Sequence, residues 1–209
     1  PLHVINFIID ELNQNIASFS QEEINKFLVM LSDNSKKLIK LLTHLLDSAS
    51  NAKGQTIYNF TKGNIVATCT ECIKEFLCLS NISFNLDDAK NTIIRYDEVK
   101  IAQVIRNILD NAIKYGTGNI IKVNLEEIEL PKSILIKIEN IGPNFLEHEK
   151  EKVFTPFFQG KSARDQQTGI GLGLSICKEI IAVHKGKIWV DNIDEQRVSV
   201  NFSIPYTEE

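Results

Sequence analysis

Between residues 169 and 173 three glycines alternate with aliphatic residues, Gly169-Ile170-Gly171-Leu172-Gly173, and Leu174 to Ile181 continues at helical spacing without a break. Alternating glycines let a backbone approach a ligand closely and adopt positive φ at little steric cost. A helix starting there aims unpaired N–H groups and its positive dipole end back at the glycines, where a phosphate would sit. A purely structural turn is the alternative for this stretch taken alone. About sixty residues upstream, Asn107, Asn111 and Lys114 fall at i, i+4 and i+7 of another helical run, hence along one face. Two carboxamides and one ammonium in a single stripe do not suit a core. By themselves they also fit an ordinary solvated face.

Composition limits what such a pair of motifs can serve. The chain has 209 residues, 43% hydrophobic and 24% charged, as in soluble globular proteins. A net charge of −4 argues against a general nucleic-acid binder, so a polyanionic ligand must be held by a local site. No apolar run reaches membrane-spanning length and no signal-peptide pattern opens the chain, so no membrane contact is expected of these residues. Cys69 and Cys72 have the C-x-x-C spacing, but no second pair or histidine cluster accompanies them. On an amphipathic helix they read as small hydrophobes.

The elements that must position these residues follow from periodicity. Residues 1 to about 14 read as a helix with Leu2, Ile5, Ile8, Ile9 and Leu12 on one face; Pro1 fits its first turn, or a bend in a longer helix. Ser20 and Glu23 form a capping box, flanked by the hydrophobic staple of Phe19 and Ile24. The helix they open runs to about Ala49, with Ile24, Leu31, Leu38 and Leu45 seven apart and Leu28 and Leu42 filling the seam. Two such helices cannot bury both faces alone. A homodimeric four-helix bundle through residues 1–50 is the natural solution, the alternative being a hairpin packed on its own domain.

Asn51-Ala-Lys-Gly54 marks a joint, giving a helical domain over 1–51 and an α/β domain over 55–209. In the second, strands are expected at Thr56–Phe60, Ile82–Leu86 and Thr92–Tyr96, and a helix over Ile65–Leu79. Asp97 caps a helix reaching Tyr115, which Gly116 stops. Ile120–Ile128 and Ser133–Asn140 read as a hairpin, and Lys187–Val190 and Val198–Ile204 as final strands. Residues 143–168 are irregular and long enough for a functional lid. The fold class is α+β: a helical hairpin followed by a two-layer sandwich, helices on one face of a mostly antiparallel sheet.

Four motifs occur in order: Asn107 to Tyr115, Ile138-Glu-Asn140-Ile-Gly142-Pro-Asn144, Phe154-Thr-Pro-Phe157-Phe158, and Gly169 to Gly173. They resemble the N box, first glycine box, F box and second glycine box of sensor histidine kinase catalytic domains, within the GHKL ATPase superfamily. The resemblance implies a Bergerat-type fold binding ATP with Mg²⁺. Asn111 would be the metal ligand, Asn107 and Lys114 would contact phosphates, and Tyr115 would lie near the adenine. Asn140 would receive the adenine amino group beside Gly142. Phe154 and Phe157 would anchor a lid whose Lys161 and Arg164 reach the γ-phosphate, with Gly169, Gly171, Leu172 and Gly173 completing the pocket. ATP-hydrolysing relatives carry a glutamate where this chain has Asn107; an amide lacks that basicity, which favours transfer to a protein acceptor over hydrolysis.

Two positions depart from the pattern. The family's adenine-binding aspartate is Asn140, neutral but still a hydrogen-bond acceptor. The second glycine of that box is Asn144, a residue that tolerates left-handed backbone, so the turn is expected to persist.

The hairpin resembles the dimerisation and phosphoacceptor domain of the same kinases, and Pro1-Leu2 resembles the end of the acceptor motif. The acceptor histidine is then expected five residues before Pro1, leaving no certain catalytic residue within the chain. Neither His3 nor His44 has the acceptor's surroundings; His184 is expected to cap carbonyls and His148 to be solvated. The implied partners are a second copy of the chain and a response-regulator receiver domain, and the implied place is the cytoplasm, either free or as the cytoplasmic part of a membrane-anchored sensor. Two other readings remain: a degenerate GHKL module that only scaffolds a partner, and a GHKL protein-serine kinase, which would not need the hairpin.

Overall fold

In the computed structural model, residues 1–52, 58–85, 92–118, 120–160 and 170–206 are described, without the side chains of residue 40 and residues 43–52. The chain divides into two compact units, Pro1–Ile57 and Tyr58–Glu209.

The first unit is a helical hairpin. Helix α1 (Leu2–Asn15) follows Pro1, whose carbonyl accepts from the Ile5 amide at 3.0 Å. A single 3₁₀ turn, Ile16–Ser18, leads to α2 (Gln21–Ala52). The capping box forms in both directions: the Ser20 amide donates to the Glu23 carboxylate at 2.8 Å, and the Glu23 amide to Ser20 Oγ at 3.3 Å. Each bond satisfies a donor that a helix start leaves orphaned. The Phe19 ring meets Phe27 edge-on at 5.1 Å, one turn beyond the expected staple partner. The hairpin buries Ile8, while Leu2, Phe7, Ile9, Leu28 and Leu42 remain exposed.

The second unit opens with a lead-in outside helix and strand, Tyr58–Phe60, where a strand was expected over Thr56–Phe60. Strand β1 instead spans Thr61–Asn64, and Thr56 and Ile57 lie outside the described residues. The Tyr58 and Phe60 rings are engaged against His184, and the Asn59 amide donates to Asp97, so this segment has other partners than a sheet.

Helix α3 (Ile65–Phe76) is capped by Asn64, whose side-chain oxygen accepts from the Val66 and Ala67 amides at 3.0 and 3.2 Å. Strands β2 (Asn81–Asn85) and β3 (Ile93–Tyr96) precede α4 (Glu98–Tyr115). Then come β4 (Ile120–Glu129), β5 (Lys132–Ile141), α5 (Gly173–Val183), β6 (Lys187–Asn192) and β7 (Arg197–Pro205). Strands β1 and β3 pair separately. The main sheet has the order β2-β4-β5-β7-β6, antiparallel except for the parallel β2–β4 edge.

Period-2 alternation decides which face is dry. Ile121, Val123 and Leu125 on β4, Ile134, Ile136 and Ile138 on β5, and Val200, Phe202 and Ile204 on β7 are buried. Helices α4 and α5 lie against this sheet and each other, and α3 packs on α4. The other face carries Lys122, Lys137, Glu139 and Asp191, with Lys137 and Glu139 paired at 3.0 Å. This is the expected two-layer arrangement. Within the expected lid, Glu147–Glu149 and Lys152–Phe154 form single 3₁₀ turns. Among the described residues, no helix is long and apolar enough to cross a membrane.

Candidate functional site

The site is assembled where the last turns of α4 meet the first turn of α5. Asp97 begins α4: its Oδ1 accepts from the Lys100 amide at 3.0 Å. Ile101, Val104, Ile105, Ile108, Leu109 and Ala112 then bury one stripe of the helix. That burial fixes the rotation of α4 and turns Asn107 and Asn111 toward α5. A Cβ placed on Gly173 would meet the Asn111 carboxamide at 3.6 Å and Asn107 Cγ at 4.0 Å. The second glycine turn therefore lies directly on the carboxamide stripe. Two motifs 62 to 66 residues apart converge on one spot.

Two features of this spot suit a bound anion. Asn107 Nδ2 is buried with no hydrogen-bond partner among the described residues. Leu172 precedes α5 and no described side chain caps its first turn. Buried donors are nearly always satisfied, so an orphan here points to an absent acceptor. Backbone N–H groups and dipole at the helix start favour the same charge.

Gly171 shapes the turn. Its φ is +75°, and an added Cβ would stand 2.5 Å from the Phe158 carbonyl oxygen and 2.8 Å from Phe157 C. The Phe157 amide donates to the Gly171 carbonyl at 2.9 Å. The two aromatic residues expected to anchor the lid differ in role. Phe154 is buried, whereas Phe157 is 58% exposed and holds a left-handed backbone with φ 64°. It is thus the Phe157 main chain that supports the glycine turn. Leu172 is buried, and its carbonyl accepts from the Ile176 amide and from Ser175 Oγ.

The far end of α4 meets the first glycine box. The Gly116 amide closes the helix on Ala112, and the Thr117 amide donates to the Ile141 carbonyl at 2.8 Å. A Cβ on Gly142 would lie 2.9 Å from Asn140 Nδ2 and 3.3 Å from the Tyr115 carbonyl. Tyr115, Asn140 and Gly142 are therefore neighbours. Asn140 Nδ2 donates to the Ile141 carbonyl at 3.1 Å, which fixes the amide orientation and leaves Oδ1 as an acceptor. An aspartate in that pose would set a carboxylate oxygen against a carbonyl, so the asparagine suits its surroundings.

Two residues have settings the sequence did not suggest. Lys114 is paired with Asp110 one turn back on α4. Asn144 does not take the left-handed backbone expected of it; among the described residues only Phe157 and Lys185 do so without being glycine. The loop is held instead by Asn192, whose Oδ1 accepts from the Phe145 amide and whose Nδ2 donates to the Phe145 carbonyl, both at 2.9 Å. No local signal links residues 47 apart, so Asn192 was invisible in the sequence. Lys161, Arg164 and Gly169 lie outside the described residues, as does the side chain of His44. His148 is exposed, as expected.

Cys69, Cys72 and Cys177 are buried and unlinked, and burial pushes the Cys72 thiol up to about 11 and the Cys69 thiol higher. They belong to the core, away from any chemistry. Among the described residues no group of three His, Cys, Asp or Glu side chains can hold a metal. Asn111 can still contribute one oxygen to a Mg²⁺ ion that phosphates and water otherwise coordinate, the usual arrangement for that cation.

The model of the histidine kinase-, DNA gyrase B-, and HSP90-like ATPase family matches residues 96–208. The sensor histidine kinase WalK of Bacillus subtilis is 30% identical over 190 residues, covering 88% of this chain and 31% of WalK. The catalytic domain of histidine kinase ThkA superposes with a TM-score of 0.62 at 33% identity, over 72% of this chain and 99% of that domain. ThkA in complex with the response regulator TrrA gives a TM-score of 0.75 at 26% identity, over 99% of this chain and 58% of ThkA. The chain spans between 31% and 50% of the length of the curated relatives it matches.

Proposed function

The chain belongs to the histidine kinase-, DNA gyrase B-, and HSP90-like ATPase family, and from that premise we propose that it is the ATP-binding catalytic core of a two-component sensor histidine kinase. The observation that carries the reading is the seat of Gly173 on Asn107 and Asn111, with Asn107 Nδ2 buried and, among the described residues, without a hydrogen-bond partner, beside a start of α5 that no described side chain caps. A polyphosphate supplies the acceptor that this cradle lacks.

Each residue then has a task that its setting supports. The Asn107 amide and the first N–H groups of α5 bind phosphate oxygens. Asn111 contributes an oxygen ligand to Mg²⁺, which when bound neutralises phosphate charge. Lys114 stays on Asp110 or turns to the phosphates, a side-chain motion within reach of a half-exposed pair. Asn140 Oδ1 accepts from the adenine amine, with Tyr115 and Gly142 about the base. Phe154, Leu172 and Gly171 brace the glycine turn, whose motif begins at Gly169, and Lys161 and Arg164 are the cations proposed for the γ-phosphate. Phosphoryl transfer depends mainly on positioning and charge neutralisation, which this set provides. An amide at Asn107 in place of a carboxylate disfavours activation of water, and the γ-phosphoryl passes to a histidine and then to an aspartate of a response regulator. The ThkA–TrrA complex supports that class of partner.

Residues 1–51 act as the dimerisation hairpin and 55–209 as the catalytic domain. Leu2, Phe7, Ile9, Leu28 and Leu42 are the apolar surface that a second copy would cover. The reading is tested by calorimetric titration of Mg-ADP into the 209-residue chain and an Asn111→Ala variant. Micromolar to low-millimolar binding, lost in the variant, is expected. Absence of heat at saturating nucleotide would leave a scaffold in place of an enzyme.

A further inference from the structure

Helices α4 and α5 touch at three points that order them head to tail. Gly173, first in α5, lies on Asn107 and Asn111 near the end of α4. Midway, Cys177 Sγ donates to the Val104 carbonyl at 3.8 Å. At the opposite end His184, just past α5, meets Asp97, just before α4. The site and His184 therefore sit at opposite ends of one antiparallel helix pair, roughly 16 Å apart at 1.5 Å per helical residue.

His184 is 3% exposed and both ring nitrogens are engaged. The Asp97 amide donates to Nε2 at 3.0 Å, so Nε2 holds the lone pair. The proton is then on Nδ1, which donates to the Ile180 carbonyl at 2.8 Å. The Phe60 ring lies 4.8 Å from the imidazole and Tyr58 stands edge-on at 5.9 Å. Asp97 carries the same junction further: Oδ1 caps α4 through the Lys100 amide, and Oδ2 accepts from the Asn59 amide at 2.8 Å. One imidazole thus joins the end of α5, the start of α4 and the lead-in segment.

We propose that neutral His184 is a positioning residue for the nucleotide site, setting the register of α5 on α4 and hence the seat of Gly173 on Asn107 and Asn111. This rests on the nucleotide reading above. An imidazolium has no lone pair at Nε2 and would present an N–H to the Asp97 N–H, so protonation breaks the junction. The titratable groups against the ring are Asp97, just before α4, and Tyr58 on the lead-in, whose own ring has Lys100 Nζ at 6.0 Å from its centroid, with Lys185 next in the chain. Burial holds the imidazole below its ordinary range, more than Asp97 and the Ile180 bond raise it. The junction is therefore intact at neutral pH and opens in acid.

The test pairs two measurements on the whole chain. Mg-ADP affinity is followed from about pH 7.5 to about pH 5.5, across the ordinary imidazole pKa of roughly 6.5, in the wild type and His184→Phe. The variant keeps a ring but makes neither hydrogen bond, and is expected to bind about ten-fold more weakly at the upper pH, the loss typical of a buried hydrogen bond. That ratio is expected to fall toward one as the wild-type ring protonates; titration of the nucleotide itself cancels between the two proteins. A merely structural histidine would give a ratio independent of pH, which overturns the proposal. In parallel, NMR of the wild type follows the His184 ring nitrogens and the Asn107 and Asn111 carboxamides. A common midpoint and an Nδ1–H tautomer are expected. Carboxamides blind to the His184 titration, the other tautomer, or a ring neutral until the chain unfolds would each overturn it, whether or not the variant folds. Failure of wild-type binding at the upper pH would sink the nucleotide reading alone, since the resonances still report whether His184 positions the two asparagines.

Discussion

At Gly171 the geometry leaves no room for a side chain. With φ at +75° and a prospective Cβ 2.5 Å from the Phe158 carbonyl, Gly171→Ala must displace the Phe157–Phe158 backbone. Left-handed strain alone costs roughly 1–3 kcal/mol. The variant is expected to unfold at lower denaturant and to bind Mg-ADP at least ten-fold more weakly, both read from one set of titrations. The thiols make a second residue-scale prediction. Cys69, Cys72 and Cys177 are buried and the first two hold their protons far above neutral pH, while Cys78 is exposed. A thiol reagent added to the native chain at neutral pH is expected to modify Cys78 rapidly and the others only after unfolding. His184 gives a third. Its folded pKa lies below the unfolded value of roughly 6.5, so in acid the unfolded chain binds the extra proton. Its contribution to stability is complete above that value and lost as pH falls through the folded pKa. The urea midpoint of the wild type is expected to drop more steeply below about pH 6.5 than that of His184→Phe.

At the scale of elements, capping decides where helices begin and therefore what their far ends reach. Asn64 satisfies two first-turn donors of α3, and Asn64→Ala is expected to cost about 1 kcal/mol by chemical denaturation. Asp97 binds both α4 and the lead-in segment, so Asp97→Ala is expected to cost more than Asn64→Ala in the same assay. In the sheet, Ile136 is fully buried on the central strand β5. Its replacement by alanine is expected to cost about 2–5 kcal/mol, as for other large-to-small core changes.

For the molecule as a whole, the hairpin sets the open question of assembly. Its two helices bury Ile8 between them but leave Leu2, Phe7, Ile9, Leu28 and Leu42 exposed. Apolar surface gathered this way on a helical unit marks an interaction face. Sedimentation is expected to give a dimer, and Leu28→Glu a monomer whose Mg-ADP affinity is unchanged. A monomeric wild type would remove the four-helix-bundle reading while leaving the catalytic unit untouched.

Much of this was legible in one dimension because it depends on neighbours in sequence. Helix periodicity, the Ser20–Glu23 box, the Asp97 cap and the glycine turn are local rules, and each element they predict is present within a few residues. The carboxamide stripe on α4 was readable for the same reason. The strand expected at Thr56–Phe60 failed because Tyr58, Asn59 and Phe60 are claimed by His184 and Asp97, residues 38 or more positions away. Tertiary structure alone seated Gly173 on Asn107 and Asn111, turned the Asn140 amide, tied the Phe145 loop to Asn192 and joined both helices at His184. Those choices rest on which distant groups satisfy each other's hydrogen bonds once water is excluded, and no local rule contains them.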